Sequence, residues 1–125
     1  MEKNKKIVGV LGTGLVGSAL AEVLLEHGYE VHIWNRTKEK METLRHKGAI
    51  PEASPETVAC SCPTLLISVM TTDVVVSLCE GPHGILSASP LPRYILDTTT
   101  GDPEQTLVLS EKLLQQGIRY LDSPI

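Results

Sequence analysis

A short apolar run, followed at once by three closely spaced glycines, opens the chain. Residues 5–11 lead into Gly12-Thr13-Gly14-Leu15-Val16-Gly17, and residues 18–27 then place apolar side chains at helical spacing. Gly28 stands where a helix C-terminus favours glycine, and residues 29–34 alternate as a second strand does. A strand, a glycine turn, a helix and a strand in this order predict a βαβ unit, whose two strands are parallel and joined by a right-handed crossover.

The same alternation continues to the end of the sequence. We predict further strands at 49–50, 65–70, 94–97 and 118–122, and further helices at 38–47, from Ser54-Pro55-Glu56 onward, at 72–79 and at 102–116. Apolar runs such as 65–70 are typical of strands that helices cover on both faces. Because crossovers are right-handed, this order predicts an α/β fold of Rossmann type, a doubly wound parallel sheet, in one domain over residues 1–125.

Composition excludes several classes of function. The chain of 125 residues has a net charge of −4, one Trp, three Tyr and no Phe, so it lacks the basic surplus and the aromatic platform of a nucleic-acid-binding protein. The apolar run at 65–70 is far too short to span a membrane. Cys60, Cys62 and Cys79 are an odd number, and residues 1–6 do not resemble a secretory leader, so we expect reduced thiols in a cytoplasmic protein. Cys60 and Cys62 lack the second ligand pair of a structural metal site.

The glycines at positions 12, 14 and 17 have the context that a dinucleotide-binding loop requires, between a strand and a helix with a second strand beyond. Gly12 makes the tight turn, Gly14 lets the main chain approach a pyrophosphate, and Gly17 lets the helix and the strand pack closely. The helix N-terminus offers free N–H donors to the phosphates. The alternative is a glycine-rich turn that binds no ligand.

The end of the second strand should decide the cofactor, because a carboxylate there accepts hydrogen bonds from the ribose of NAD. The chain has Asn35, Arg36 and Thr37 at this position. Arg36 is suited to a charge-assisted contact with a 2′-phosphate, and Asn35 and Thr37 add neutral donors. We therefore predict NADP(H) in preference to NAD(H). The alternative is that Arg36 and Thr37 simply begin the next helix, with Arg36 in solvent.

Two later segments should reach the same edge of the sheet, since ligands of doubly wound folds lie beyond the carboxyl ends of the strands. Met70, Thr71 and Thr72 stand at the end of the fourth predicted strand, and a threonine-rich loop at 98–102 follows the fifth. Thr100 either contacts the ligand or only helps to build a turn. Asp102, directly before a proline, is predicted to be the N-cap of the next helix.

Several motifs together resemble the β-hydroxyacid dehydrogenase family, which includes 3-hydroxyisobutyrate dehydrogenase and the glyoxylate/succinic semialdehyde reductases. The resemblance spans nearly the whole chain and is carried by residues 7–17, Trp34-Asn35-Arg36-Thr37, Val69-Met70, residues 97–103 and residues 120–125. It implies that Gly12 to Gly17 bind the pyrophosphate, that the main chain at Val69 and Met70 lines the nicotinamide ribose, and that Thr100 lies by the nicotinamide. Members that use NADP have the same Asn-Arg-Thr after the second strand.

The departures from the family pattern concern the substrate and the proton. Ser123 stands where the family has alanine, and the serine that helps to hold the substrate carboxylate comes later in the family, as do the catalytic lysine and the all-helical second domain. We therefore expect no catalytic residue in this chain, which ends before that domain and is the cofactor-binding part of such an enzyme. Substrate contacts and dimerisation lie mostly in the later domain, which leaves a homo-oligomer open.

The leading expectation is an NADP-dependent oxidoreductase that transfers hydride between the nicotinamide and a small β-hydroxyacid or its aldehyde. An imine reductase is the first alternative, because its cofactor domain also resembles this chain, including Trp34-Asn35-Arg36-Thr37. The residues after position 125 distinguish the two families. A dinucleotide-binding module without catalysis is a second alternative, and a fold that binds nothing is a third.

Overall fold

The computed structural model describes residues 6–124, so Lys5, where the first predicted strand begins, and Ile125 lie outside the described residues. The strands are β1 Ile7–Leu11, β2 Glu30–Trp34, β3 Ile50–Pro51, β4 Thr64–Ile67, β5 Tyr94–Asp97 and β6 Arg119–Asp122. The α-helices are α1 Leu15–Glu26, α2 Glu42–His46, α3 Pro55–Ser61, α4 Thr72–Glu80 and α5 Pro103–Gln115. Single 3-10 turns lie at Lys38–Met41 and Ile85–Ser87.

These strands form one parallel sheet with the order β3-β2-β1-β4-β5-β6. At the centre, Leu11 of β1 is in register with Trp34 of β2 on one side and with Ile67 of β4 on the other. The chain winds outward from β1 to β3 and then returns to the other side of β1. A crevice forms outside the carboxyl ends of the strands at such a reversal. The predicted doubly wound parallel sheet is confirmed.

Helices cover both faces of the sheet and bury two apolar clusters. On one face, α3, α4 and α5 pack on the strands through a cluster that includes Val58, Val75, Leu109 and Leu113 with Leu11, Leu65, Ile67 and Ile95. On the other face, α1 and α2 pack through a cluster that includes Ala21 and Leu44 with Val8, Val10, Val31 and Ile33. The inner strands are therefore apolar on both sides, which explains their runs of branched residues.

Two helices begin at the caps that the sequence predicts. The Ser54 hydroxyl accepts the N–H of Thr57 at 3.2 Å, and Asp102 Oδ1 accepts the N–H of Glu104 at 2.9 Å. Both side chains satisfy an N–H group that has no partner within its helix. The predicted helix start at Ser54 and the predicted role of Asp102 as an N-cap are confirmed.

Two predicted elements are shorter in the structure, and in both a threonine bonds the main chain from elsewhere in the fold. The helix predicted at 38–47 is wrong in its first half, where a 3-10 turn stands and the Thr13 hydroxyl donates to the Lys40 carbonyl at 3.3 Å. The strand predicted at 65–70 is wrong beyond Ile67, because the N–H of Val69 donates to the Thr99 hydroxyl at 3.1 Å. Each bond ties a loop to the edge of the sheet where β1 and β4 end.

Cys62 and Cys79 are buried, and all three cysteines are free. Burial, with a smaller contribution from neighbouring carboxylates, raises the pKa of each buried thiol to about 12. The thiolate is the reactive form of cysteine, so these two thiols are unreactive at neutral pH. Among residues 6–124, no three His, Cys, Asp or Glu side chains are grouped as a metal site, and no helix is long and apolar enough to cross a membrane.

Cys79 should make the fold less stable as the pH rises above 9. The unfolded thiol ionises near its ordinary pKa of 9.0, whereas the folded thiol stays protonated until about 12. The unfolded state therefore binds fewer protons between these values, and one such group lowers the free energy of unfolding by up to about 1.4 kcal/mol per pH unit. We expect urea unfolding at increasing pH to show a shallower loss for Cys79→Ala than for wild type. Cys60→Ala, at an exposed position, is the control and should keep the wild-type slope; equal slopes in all three proteins would contradict this account.

Candidate functional site

The candidate site is a cleft at the edge of the sheet where β1, β2 and β4 end. It has a volume of about 520 Å³ and is lined by Gly12, Trp34, Asn35, Arg36, Val69, Asp73, Val74, Ser77 and Leu78. A second cleft, of about 470 Å³, lies beside the first turn of α1 and is lined by Thr13, Gly14, Leu15, Ser18, Ala19, Glu22 and Lys40. The glycine loop borders both clefts, at the crevice that the strand order creates.

Close packing requires glycine at two positions of the loop. Gly12 has a φ of 98°, and a Cβ there would overlap the carbonyl oxygen of Ser68 beyond β4. A Cβ on Gly17 would overlap the carbonyl oxygen of Gly12. Gly17 therefore fits the helix against the turn itself, rather than against the strand as predicted.

Gly14 is different, because a Cβ built there has no atom of the described residues within 4 Å apart from its own residue and the two that adjoin it. The residue is exposed and has ordinary extended angles, φ −73° and ψ −159°. Neither strain nor protein packing explains a glycine at this position. The space above Gly14 is open for a group from outside the chain, which is the fit that a pyrophosphate requires.

Helix α1 begins directly beyond this space. Gly14 is its N-cap, and no side-chain hydrogen bond caps the helix among the residues described. The first bond of the helix runs from the Ser18 N–H to the Gly14 carbonyl at 2.9 Å, so the N–H groups of Leu15, Val16 and Gly17 precede it. Leu15 is 91% exposed. Free N–H groups at a helix N-terminus favour an anion.

At the end of β2, Asn35 braces the loop while Arg36 and Thr37 are exposed. Asn35 Oδ1 accepts the N–H of Thr13 at 2.9 Å, and Asn35 Nδ2 donates to the Thr37 carbonyl at 3.0 Å. Arg36 lines the first cleft and forms no ion pair with any residue in the described range. The guanidinium is therefore available to a ligand in that cleft.

The segment after β4 presents its main chain and one apolar side chain to the same edge. The Val69 N–H is used by Thr99, whereas the Met70 side chain is 87% exposed. The Thr71 hydroxyl accepts the N–H of Val74 at 3.3 Å and caps α4. The Thr71 side chain, which was predicted to lie at the cofactor site, therefore caps a helix.

The structure distinguishes the three threonines after β5. The Thr98 hydroxyl donates to the Ile67 carbonyl at 3.0 Å, and the Thr99 hydroxyl accepts the Val69 N–H, so both side chains are buried and used internally. Thr100 is exposed, and its hydroxyl forms no hydrogen bond within the part of the chain that the structure describes. Thr100 is therefore free to contact a ligand.

Three side chains at this edge were not predicted as site residues. Lys40 lines the cleft beside Gly14 and adds a positive charge there. Asp97 is 2% exposed, and the Tyr120 hydroxyl donates to its Oδ2. Burial and the hydrogen bond to Asp97 raise the pKa of Tyr120, so the phenol stays protonated. An acidic residue at the end of an otherwise apolar strand was the available signal, since a buried carboxylate needs a partner.

Comparisons with known proteins agree with this geometry. Residues 7–125 match the family described as the NAD binding domain of 6-phosphogluconate dehydrogenase. Cytokine-like nuclear factor N-PAC of Xenopus tropicalis is 32% identical over 96% of this chain, which spans 22% of that protein. Glyoxylate/succinic semialdehyde reductase 2 of Arabidopsis thaliana is 28% identical over 94% of this chain, which spans 33% of that enzyme.

Solved structures of oxidoreductases are also similar to this chain. An imine reductase from Myxococcus stipitatus in complex with NADP+ is 27% identical, with a TM-score of 0.81, over 93% of this chain and 39% of that one. A variant of an imine reductase from the same organism was solved with NAD+. The 3-hydroxyisobutyrate dehydrogenase of Mycobacterium tuberculosis, at 18% identity, shares the fold with a TM-score of 0.86 over 96% of this chain and 40% of that one. The match over residues 7–125 and the glycine loop at the strand reversal lead to one conclusion: the chain belongs to the family of NAD-binding domains of the 6-phosphogluconate dehydrogenase type.

Proposed function

We propose that this chain is the NADP(H)-binding domain of an oxidoreductase that moves hydride between the nicotinamide and a small β-hydroxyacid or its aldehyde. The plant relative named glyoxylate/succinic semialdehyde reductase supports this substrate class. The chain spans a third of that enzyme, so the substrate and the catalytic activity are proposed for the whole protein and not for this chain alone. We assign no catalytic residue to this chain, and its proposed part in the reaction is to bind and orient the dinucleotide.

The open space at Gly14 carries the proposal. A pyrophosphate in this space meets the free N–H groups at the start of α1, from Leu15 and Val16. Gly12 and Gly17 hold the turn in the conformation that presents these groups. The loop thus binds through its main chain, and Thr13 supports it through its bonds to Asn35 and Lys40.

Arg36 and Thr37 are the proposed ligands of the 2′-phosphate. Both are exposed at the end of β2, and the Arg36 guanidinium has no carboxylate partner among residues 6–124. Asn35 acts by orienting this segment, since its amide is bonded to the chain on both sides. Asp73 also lines the cleft, and its carboxylate accepts a hydrogen bond at Oδ1 from the Gln105 side chain of α5 at 2.8 Å.

The nicotinamide end is proposed to lie between the segment after β4 and the loop after β5. The main chain at Val69 and Met70 faces the ribose, with Thr71 at the start of α4, and the Thr100 hydroxyl is the free donor on the other side. When bound, NADP(H) supplies or accepts the hydride at its nicotinamide ring. The residues of this chain orient that ring toward a substrate held by the rest of the protein.

Arg36→Ala should reduce the affinity for NADPH by about tenfold to 100-fold and leave the affinity for NADH within about twofold. A charge-assisted hydrogen bond contributes about 1.5–3 kcal/mol, and only NADPH has the phosphate that receives it. Titration calorimetry of both dinucleotides with both proteins gives the four affinities.

Arg45→Ala is the matched control, because Arg45 is an exposed arginine that pairs with Glu42 at 2.9 Å and lines neither of the two clefts. It should change neither affinity. If NADPH and NADH bind wild type equally and Arg36→Ala changes nothing, the preference for NADP(H) is wrong. If neither dinucleotide binds, the proposed function itself is wrong.

A second candidate function is a dinucleotide-binding module without turnover. A relative at 32% identity is named a nuclear factor rather than a reductase, which favours this candidate. A steady-state assay of the whole protein with NADPH and succinic semialdehyde separates the two. Turnover supports the oxidoreductase, whereas binding of NADPH without turnover of this or related small aldehydes supports the module.

A further inference from the structure

Three hydrogen bonds link Tyr120 in β6 to the last residue of β5 and, through Thr99, to the segment that follows β4. The Tyr120 hydroxyl on β6 donates to Oδ2 of Asp97, the last residue of β5. Oδ1 of the same carboxylate accepts the Thr99 N–H at 2.9 Å, and the Thr99 hydroxyl accepts the Val69 N–H at 3.1 Å. Asp97 and Thr99 are buried, at 2% and 4% exposure. The phenol at one edge strand is thereby linked to the main chain that follows β4.

These bonds involve the residues next to the two segments between which we place the nicotinamide. Thr99 directly precedes Thr100, and Val69 directly precedes Met70. The Thr100 side chain has no hydrogen bond of its own within residues 6–124, so its place depends on its neighbours in the loop. The bond between Thr99 and Val69 fixes the distance between the two segments.

Tyr120 orients the carboxylate of Asp97. A buried carboxylate without enough donors loses free energy, and both oxygens of Asp97 have a donor in this structure, one from Tyr120 and one from Thr99. Without the phenol hydroxyl, Oδ2 lacks its partner and the carboxylate is expected to turn toward water, away from the Thr99 N–H. The effect reaches the loop without any contact between Tyr120 and the ligand.

We propose that Tyr120 is a positioning residue for the nicotinamide half of the site and acts through Asp97 and Thr99 on the spacing between Thr100 and Met70. This inference rests on the proposed function, because it concerns the same dinucleotide. It extends the set of residues that shape the site to β6, which lies on the other side of β5 from β1 and the glycine loop.

Tyr120→Phe tests the inference with two ligands. NADPH spans both halves of the site, whereas adenosine 2′,5′-bisphosphate has the phosphates and the adenosine without the nicotinamide. We expect the variant to bind NADPH about tenfold more weakly and adenosine 2′,5′-bisphosphate within about twofold of wild type. Tyr94→Phe is the matched control, because Tyr94 is 50% exposed on β5 and forms no side-chain hydrogen bond with the described residues. It should change neither affinity.

A second variant, Thr99→Val, and a second measurement, amide hydrogen exchange, test the inference even if Tyr120→Phe does not fold. Thr99→Val removes the acceptor of the Val69 N–H at nearly constant volume and should produce the same selective loss. In Tyr120→Phe, the amide protons of Thr99 and Val69 should exchange about tenfold faster than in wild type and in Tyr94→Phe.

Equal affinities of wild type and Tyr120→Phe for NADPH would overturn the inference, and so would an equal loss for both ligands. If Tyr120→Phe does not fold, the result for Thr99→Val decides. If wild type binds neither ligand, the proposed function fails, and this inference with it. If wild type binds NADPH and adenosine 2′,5′-bisphosphate, and neither Tyr120→Phe nor Thr99→Val changes these affinities, the inference fails while the proposed function stands.

Discussion

Gly14→Ala should abolish tight binding of the dinucleotide while leaving the free energy of unfolding within about 1 kcal/mol of wild type. The added methyl group meets no protein atom within 4 Å, and alanine adopts φ −73° and ψ −159° without strain. Fewer conformations of the unfolded chain should raise the free energy of unfolding by up to about 1 kcal/mol, which offsets the loss from alanine being a poorer N-cap of α1 than glycine. In the complex, the methyl group occupies the space that the pyrophosphate needs. We expect the affinity for NADPH to fall at least about 100-fold, measured by titration calorimetry beside urea unfolding.

Gly28→Ala is the matched control for this experiment. A Cβ on Gly28 also meets no atom within 4 Å, but its φ of 82° is a conformation that alanine adopts at a loss of about 1–2 kcal/mol. It lies after the other end of α1, so this variant should lose stability and keep its affinity. The two variants should therefore show opposite effects. A Gly14→Ala protein that binds NADPH like wild type would place the phosphates elsewhere.

Gly12→Ala should lower the free energy of unfolding by about 3–5 kcal/mol, a large part of the stability of a small domain. Two effects add at this position. The φ of 98° strains any residue with a side chain, at about 1–3 kcal/mol. The methyl group also overlaps the carbonyl oxygen of Ser68, so the ends of β1 and β4 must separate, which costs about as much again.

Chemical denaturation measures this loss directly, and thermal unfolding provides a second probe. Gly14→Ala serves as the comparison two residues away, because it makes the same chemical change in open space. A midpoint of unfolding for Gly12→Ala that equals the wild-type midpoint would mean that the loop does not pack on Ser68. Reduced binding of NADPH by Gly12→Ala is expected too, but it follows from the loss of the turn.

The features that could be predicted from the sequence are those that local backbone demands determine. Gly12 was predicted from the tight turn between a strand and a helix, and Ser54 and Asp102 from the need of a helix for a cap. The doubly wound parallel sheet was predicted from the alternation of strands and helices together with the right-handedness of crossovers, which holds whatever the side chains are. Turns and caps depend on a few neighbouring residues, and the crossover rule depends only on the order of strands and helices. Both can be seen in the sequence.

The uses of particular polar side chains could not be predicted, because they depend on which loops the fold brings together. Asn35 was predicted as a neutral donor near the 2′-phosphate, and its bonds to Thr13 and Thr37, which brace the loop, were not predicted. The three threonines after β5 look equivalent in sequence, yet only the positions of Ile67 and Val69 determine that Thr98 and Thr99 are used internally. Tyr120 and Asp97 lie far apart in the chain and meet because β5 and β6 are neighbours.

The contrast between Asn35 and Arg36 has an evolutionary consequence. The first side chain holds the turn of the loop, so its replacement disturbs the architecture, whereas the second is bonded to nothing in residues 6–124. A lineage can therefore exchange the residue at position 36 repeatedly, with foldability unaffected each time. Under the role that we propose for Arg36, a change at this one position should alter the preference between the phosphorylated and the unphosphorylated dinucleotide and leave the fold intact, whereas a change at position 35 should disturb the turn.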